Sequence, residues 1–425
     1  MKTAAVICEL NPFHNGHALL MRKLREEYGA DYIIALMSGN YVQRGEPAVF
    51  EKYARAEMAL GGSSGGHADL VLEMPALFST ASAREFASAG VRMALVSGIA
   101  DILGFGTENG AGLGELDVQA AKLDTAENFE DQAFSAAVRS GLRSGLSYPK
   151  ALDAALSASD PASACVTPEN QSSASSQELL PAPNNILAAE YLRALRKFDP
   201  GHSIRPVSIS RVGDGYASVQ AADPHFCSAA ALRRMLLADG TAAASSVPEQ
   251  HPAAPYVPAD ALSLFLKSRP LSPDAFSPYL NKALLEARYF EKDLSVYADV
   301  SREIADRLLR GSDEPMSFTA RVADIKTKQY TYTRISRALL HIALGITKEE
   351  TEAAKAAGYV SGLRILGFRK EAAPLLKSLK ANAAVPIITK TADHKELLKT
   401  QLYCDQLYQS VSGGINEYRH SPIRL

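Results

Sequence analysis

The chain has 425 residues, 47% of them apolar and 22% charged, with a formal net charge of −2 and four cysteines. That length allows roughly two or three domains with sizeable cores, and the composition is globular rather than disordered or fibrous. No run approaches the ~20 apolar residues of a membrane helix, Cys8, Cys165, Cys227 and Cys404 lack paired spacing for a metal or a disulfide framework, and the amino terminus shows no secretion pattern. A reduced, cytoplasmic setting with no membrane partner is therefore expected.

Thr3 to Cys8 (Thr-Ala-Ala-Val-Ile-Cys) reads as a short buried strand, and Ala18-Leu19-Leu20-Met21 followed by Arg22, Lys23 and Arg25 reads as a helix. Between them lies Asn11-Pro12-Phe13-His14-Asn15-Gly16-His17. Two histidines three apart at a helix start share one face. The unpaired N–H groups and positive dipole end of the first turn point the same way. Such a place binds anions, and two imidazoles beside it suit a nucleotide's phosphates. Pro12 helps end the strand, and Gly16 lets a phosphate approach the backbone. A lone histidine at a helix start is usually a cap or a solvated group; the pair, in this setting, points to phosphate chemistry.

Strand and helix patterns then alternate. Asp31 to Met37 is a second buried strand, Glu51 to Leu60 a helix, Asp69 to Met74 a third strand and Ser82 to Val96 a helix. Ala100 to Phe105 is a fourth strand, closing at Gly106-Thr107-Glu108. Continuous apolar strands separated by helices imply a parallel sheet covered on both faces. Ligands bind beyond the carboxyl ends of such strands, so all four strand-end segments, from His14 to Glu108, should line one crevice. The fold class is thus α/β, with a Rossmann-like parallel-sheet domain.

Two stretches rich in Ser, Ala and Pro, 157–183 and 238–258, read as exposed, mobile insertions. Asn184 to Leu195 is a helix between them, Ser203 to Ile209 a strand, and Ser228 to Leu237 a helix. Beyond about Asp260 the pattern is mostly helical, with a small mixed unit near 363–389. The expected organisation is a nucleotide-binding domain over 1–238, a linker or insertion over 239–258, and a mostly helical domain over 259–425.

Several motifs carry candidate chemistry. Arg44, in the polar loop Ser38 to Pro47, can neutralise phosphate charge, although an isolated loop arginine is more often merely solvated. Asp69 and Glu73 share one strand face, where one of them could simply cap a helix. Gly104-Phe105-Gly106 lacks the third glycine of a dinucleotide fingerprint and reads as close backbone approach to a base or ribose. Ser228 caps a helix that places Arg233 one turn in, a possible second phosphate site. Lys326, Lys328, Arg334 and Arg337 interleave with Tyr330 and Tyr332 ahead of an apolar helix. Cations contact RNA phosphates and tyrosines stack on unpaired bases, so this segment is the candidate RNA-contacting surface; a solvated helix face is the plainer reading.

Taken together, residues 1–110 resemble the HxGH nucleotidyltransferase superfamily. A closer resemblance covers most of the chain: Glu9 to His17, Met37 to Asn40, Gln43 to Ala48, Ala68 to Pro75, Asn184 to Leu187 with Glu190-Tyr191, Arg211 to Tyr216 and Lys326-Thr327-Lys328 are similar to the bacterial tRNA(Met) cytidine acetate ligase family. The sequence departs from that family's pattern at Leu10, Ser210 and Ala230, where an aromatic residue, Lys and Thr are usual. The resemblance implies an ATP site made by Ile7, Cys8, Glu9, Leu10, Asn11, Pro12, Phe13, His14, Asn15, Gly16, His17, Ala18, Leu19 and Leu20, with Gly106, Asn185 and Arg211.

It also implies the activity: ATP and acetate give acetyl-adenylate, and acetyl passes to N4 of the wobble cytidine of elongator tRNA(Met). His14 and His17 would then be the catalytic pair, and Mg²⁺ is expected with the ATP, with no protein ligand assigned to the metal. DNA is not expected as a partner. Two alternatives remain at this point: an adenylyltransferase acting on a small phosphate ester, and a non-catalytic RNA- or nucleotide-binding protein with a decayed site.

Overall fold

The structure, a computed structural model, describes residues 1–62, 65–108, 110–128, 183–211, 223–238, 251–327 and 330–425, with a few isolated positions between 136 and 155. Its frame is an eight-stranded sheet. Strand β1 (Thr3–Cys8) lies between β2 (Tyr32–Ser38) and β6 (Ile102–Thr107), with β5 (Leu70–Met74) beyond β2 and β7 (Arg205–Ser210) beyond β6, all parallel. The register runs from Thr3 opposite Tyr32 to Cys8 opposite Met37. Strands β3 (Tyr41–Val42) and β4 (Glu46–Pro47) form a separate two-stranded hairpin.

Apolar side chains leave both faces of the central strands, so both faces are covered. Helices α4 (Ala83–Ser97), α5 (Leu113–Asn128) and α6 (Pro183–Phe198) cover one face together with α14 (Ala373–Asn382). On the other face lie α1 (Asn15–Glu26), α2 (Lys52–Leu60), α7 (Ala229–Ala238) and α8 (Ala259–Lys267). A short helix, α3 (Ala76–Ser79), follows β5. A third apolar core joins α9 (Ser277–Tyr289), α10 (Arg302–Arg310), α11 (Phe318–Ile325), α12 (Tyr332–Leu344) and α15 (Lys399–Ser412) to Tyr41 and Ala76. Helix α13 (Lys348–Ala356) follows α12.

The structure differs from the sequence expectations in three places. The mixed unit near 363–389 is not separate: β8 (Leu363–Phe368) pairs antiparallel with β5 and so extends the main sheet. Its other edge takes β9 (Ile387–Ile388) and then β10 (Ile423–Arg424). Adding β8 removes an open edge that β5 would otherwise present. Strands from both sides of residues 239–258 therefore share one sheet. Second, residues 251–258 are packed rather than loose, because Ala253 and Val257 are buried in the core beneath α7 and α8; the remainder of that stretch, and most of 157–183, lie outside the described residues. Third, the carboxyl end of β5 does not open on a shared crevice.

The cause of this last difference is electrostatic. Glu73 of β5 belongs to a buried network with Lys52, Arg364, Asp405 and Glu417. Lys52 Nζ lies 2.8 Å from Glu73, 2.5 Å from Asp405 and 3.1 Å from Glu417, and Arg364 lies 2.9 Å from Glu73 and also pairs with Glu417. Buried charges cost several kcal/mol each unless they are paired and hydrogen-bonded. Three carboxylates here face two cations. Burial, with Glu73 and Glu417 adding to it against the pull of Lys52, pushes the Asp405 carboxyl up to about 7. Asp69 is also structural: it accepts from Arg25 at 2.5 Å and from the Ile33 N–H at 2.6 Å, fixing α1 to the sheet.

Candidate active site at the carboxyl ends of the strands

In the sheet order β5-β2-β1-β6-β7 the connections reverse direction at β1, and a crevice opens beyond β1, β6 and β7. This is where open α/β sheets bind ligands. The chain leaves β1 through Glu9 and turns at Leu10, which is fully buried with φ 47°. A left-handed non-glycine residue costs roughly 1–2 kcal/mol and persists only where its surroundings impose it. The loop after it is pinned on two sides: Asn11 Oδ1 accepts from the Val49 N–H at 2.8 Å, and its carbonyl accepts from Arg233 at 2.7 Å.

Helix α1 then begins at His14, whose own side chain is the cap: Nδ1 accepts the Gly16 N–H at 3.0 Å. With Nδ1 accepting, the imidazole carries its proton on Nε2. A Cβ on residue 16 would sit 2.9 Å from the His14 ring, so glycine leaves room for that ring as well as for a ligand. His17 lies one turn on, its ring centroid 3.8 Å from that of His14 and stacked on Phe13 at 6.0 Å. His17 Nδ1 is buried with no hydrogen-bond partner among the described residues. A buried polar atom without a partner costs about 1–3 kcal/mol, which a bound polar ligand would relieve.

Both rings are neutral at physiological pH. Burial drives His14 well below the ordinary imidazole value, with His17, Arg211 and Arg233 adding to the effect. Burial, followed by Arg211, lowers His17 to about 3. The crevice is nevertheless electropositive, because Arg44, Arg211 and Arg233 line it and Glu9 is the one carboxylate to do so among the described residues. Arg211 is placed by its own N–H, which donates to the Thr107 carbonyl at 2.9 Å.

Of the residues expected at the nucleotide, Ile7, Cys8, Glu9, Leu10, Asn11, His14, Gly16, His17, Leu19, Leu20, Gly106 and Arg211 line this crevice, as do Arg44 and Arg233. Pro12, Phe13, Asn15 and Ala18 do not. Phe13 is a core residue, and Asn15 Nδ2 donates to the His225 and Pro255 carbonyls at 2.9 Å. Asn185 is fully buried and clamps the end of β6, accepting the Glu108 N–H at 2.9 Å; its neighbour Asn184 lines the crevice instead. Ser228 caps α7 by accepting the Ala231 N–H at 3.1 Å and does not line the crevice. Gly104 is small because of α1, since a Cβ there would meet Leu24 at 2.6 Å.

Sequence reasoning missed Gln43, Phe86, Phe105, Asn184, Leu187, Tyr191, Phe226 and Cys227, all of which line the crevice. One signal could have found three of them: Asn184, Leu187 and Tyr191 recur at helical spacing on one face of α6. The residues that vary from the family pattern at 210 and 230 also lie here, as Ser210 and Ala230.

The basic-tyrosine segment divides. Lys326 and Arg334 are exposed, with Arg334 over the Tyr330 ring at 5.5 Å and the Tyr330 hydroxyl donating to Glu303 at 2.7 Å. Arg337 is buried and paired with Asp299 at 2.9 Å, so its guanidinium is committed to the fold rather than offered to RNA. Tyr332 is half-buried and hydrogen-bonds Glu46. Lys328 lies outside the described residues.

A family model described as HIGH Nucleotidyl Transferase matches residues 1–421. A tRNA(Met) cytidine acetate ligase of Lysinibacillus sphaericus is 30% identical over 434 aligned positions, covering 100% of both chains. Another from a Thermoanaerobacter species is 32% identical and covers 96% of this chain and 94% of its own. Among solved structures, apo TmcAL from Thermotoga maritima superposes with a TM-score of 0.83 at 26% identity over 100% of both chains. The same protein bound with alpha-thio ATP gives a TM-score of 0.79.

Proposed function

The chain belongs to the HIGH nucleotidyl transferase family and, within it, to the tRNA(Met) cytidine acetate ligases, and on that premise we propose a two-step reaction in the crevice. ATP and acetate give acetyl-adenylate and pyrophosphate, and the acetyl group then passes to N4 of the wobble cytidine (C34) of elongator tRNA(Met). The observation that carries the reading is the pair of neutral histidines facing a crevice lined by three arginines.

The first step is an in-line attack of an acetate oxygen on the α-phosphorus. It needs alignment and charge neutralisation more than a protein nucleophile. His14, through Nε2–H, and His17 would donate to the α-phosphate oxygens and the pyrophosphate bridge as charge develops there. Arg44, Arg211 and Arg233 would hold the outer phosphates. Mg²⁺ binds through few carboxylates and keeps several waters, and no group of three metal-ligating side chains occurs among the described residues; such a donor set fits an ion carried by the triphosphate. Bound there, it would neutralise phosphate charge.

The acceptor in the second step is an unpaired base, which is displaced at little cost compared with one in a duplex. Lys326 and Arg334 would contact the RNA phosphates. ATP, acetate and tRNA meet in the cytoplasm, which is where this reading puts the protein.

The test is transfer of labelled acetate, with ATP, to total bacterial tRNA with and without elongator tRNA(Met). We expect label in that tRNA alone, recovered as N4-acetylcytidine. Pyrophosphate release with AMP attached to a small phosphate ester, and no RNA requirement, would select the adenylyltransferase alternative. No release by folded protein would select a binding protein.

A further inference from the structure

We propose that Glu9 is the general base of the transfer step, taking the proton that the acceptor amine loses as it accepts the acetyl group; this rests on the two-step reading above. Glu9 is the one carboxylate lining the crevice among the described residues. A carboxylate beside ATP and acetate, both anions, weakens the binding of each, so its position calls for another purpose. The other titratable side chains there do not suit proton acceptance. Guanidinium, phenol and thiol groups keep their protons near neutrality, and burial pushes the Cys8 thiol up further, to about 12. The two imidazoles are too weakly basic, since burial holds both far below their ordinary value.

Geometry favours the acceptor side. Glu9 Oε1 accepts the Gln43 N–H at 2.9 Å, which fixes the side chain against the β3–β4 hairpin. Oε2 takes no hydrogen bond from the described residues. The same hairpin rests on the start of α12, where the Ser336 hydroxyl donates to the Gly45 carbonyl at 2.8 Å and a Cβ on residue 45 would lie 2.2 Å from the Arg337 nitrogen. Helix α12 carries Arg334 of the segment assigned to RNA. Glu9 thus stands at the side of the crevice from which an RNA base would approach, with His14 and His17 on the helix that follows.

In the transfer, the N4 lone pair forms a bond to the carbonyl carbon of the mixed anhydride. The tetrahedral adduct collapses, the bond from that carbon to the phosphate oxygen breaks, and its electron pair leaves on AMP. The proton from N4 passes to Glu9 and then to solvent. A positioned base of this kind contributes typically ~10²–10⁴-fold.

The experiment supplies synthetic acetyl-adenylate and tRNA to the full chain, so that only the second step is timed, in single turnovers at neutral pH. Glu9→Gln keeps an oxygen to accept the Gln43 N–H, and a thermal melt checks that it folds. We expect Glu9→Gln to be slower by ~10²-fold or more and Glu9→Asp to recover part of the rate. Transfer by Glu9→Gln at the wild-type rate would overturn the assignment and leave only a hairpin clamp. A Glu9→Asp protein no faster than Glu9→Gln would put the base elsewhere. Recovery of Glu9→Gln by added Mg²⁺ would make Glu9 a metal ligand. If wild-type protein passes no acetyl group to RNA, the two-step reading falls and the assignment falls with it.

Discussion

His14 combines two duties in one ring: Nδ1 caps α1 and Nε2–H is left to face the crevice. The cap requires an unprotonated Nδ1, so the fold and the chemistry demand the same neutral tautomer. An unfolded chain protonates these imidazoles near ~6.5, whereas in the fold His17 waits until about 3 and His14 is also held low by burial. Between those values the unfolded state binds more protons, so the stability these sites contribute is complete above ~6.5 and declines as pH falls toward His17's value. In an imidazole NMR titration of the free protein we expect neither ring to change between pH 8 and 5. An inflection for either ring above pH 5.5 would contradict the neutral-donor assignment. The histidine motif was legible because its signal is local, with strand, turn, glycine and helix in succession. Asn185 and Ser228 each satisfy a backbone N–H, a role that looks in sequence like that of a polar side chain beside a ligand site.

At the scale of elements, the long parallel strands were readable as continuous apolar runs. The β3–β4 hairpin was not, because two residues per strand carry no periodicity. The buried network was equally hidden, since Lys52 meets Glu73 at a separation of 21 residues and Asp405 at 353. That network makes an ordered prediction. Removing Lys52 leaves three buried carboxylates facing Arg364 alone, so Lys52→Met should cost about 3–5 kcal/mol in urea unfolding. Asp405 is pushed up toward neutrality by burial, and a neutral amide replaces it at much lower cost, about 1–2 kcal/mol for altered hydrogen bonds. The reverse order would mean that Asp405 is the firmly ionised member. The hairpin also has a demand of its own: Gly45 has φ 80° and no space for a Cβ against α12. Gly45→Ala should lower the thermal midpoint and weaken acetyl transfer, because Gln43 and Arg44 ride on the same turn. An unchanged midpoint and transfer rate would show that the turn tolerates displacement.

Across the whole molecule, the carboxyl-terminal part completes the amino-terminal sheet and closes over the hairpin, with Tyr41 donating to the Cys404 carbonyl and Tyr408 to the Ala48 carbonyl, each at 2.8 Å. The α/β class followed from the alternation of patterns in the first hundred residues. The reach of β8 into that sheet did not, because an antiparallel partner drawn from residues 363–368 leaves no mark near β5. The proposed RNA surface belongs to this scale. Replacing Lys326 and Arg334 together should weaken tRNA binding and flatten its salt dependence, by roughly one unit of slope for each phosphate that is no longer neutralised. Arg337→Ala should instead lower stability, because it leaves the half-buried Asp299 without this ion pair. Equal loss of RNA affinity from Arg337→Ala with no loss of stability would reverse that division. The proposed role of the two neutral histidines in adenylate formation is tested most directly by pyrophosphate release from ATP and acetate, without RNA, by wild-type protein and by His17→Ala. Wild-type release should require acetate, and the folded variant should fall by ~10²–10³-fold, the usual cost of one lost transition-state donor; a folded His17→Ala protein releasing pyrophosphate at the wild-type rate would contradict the account.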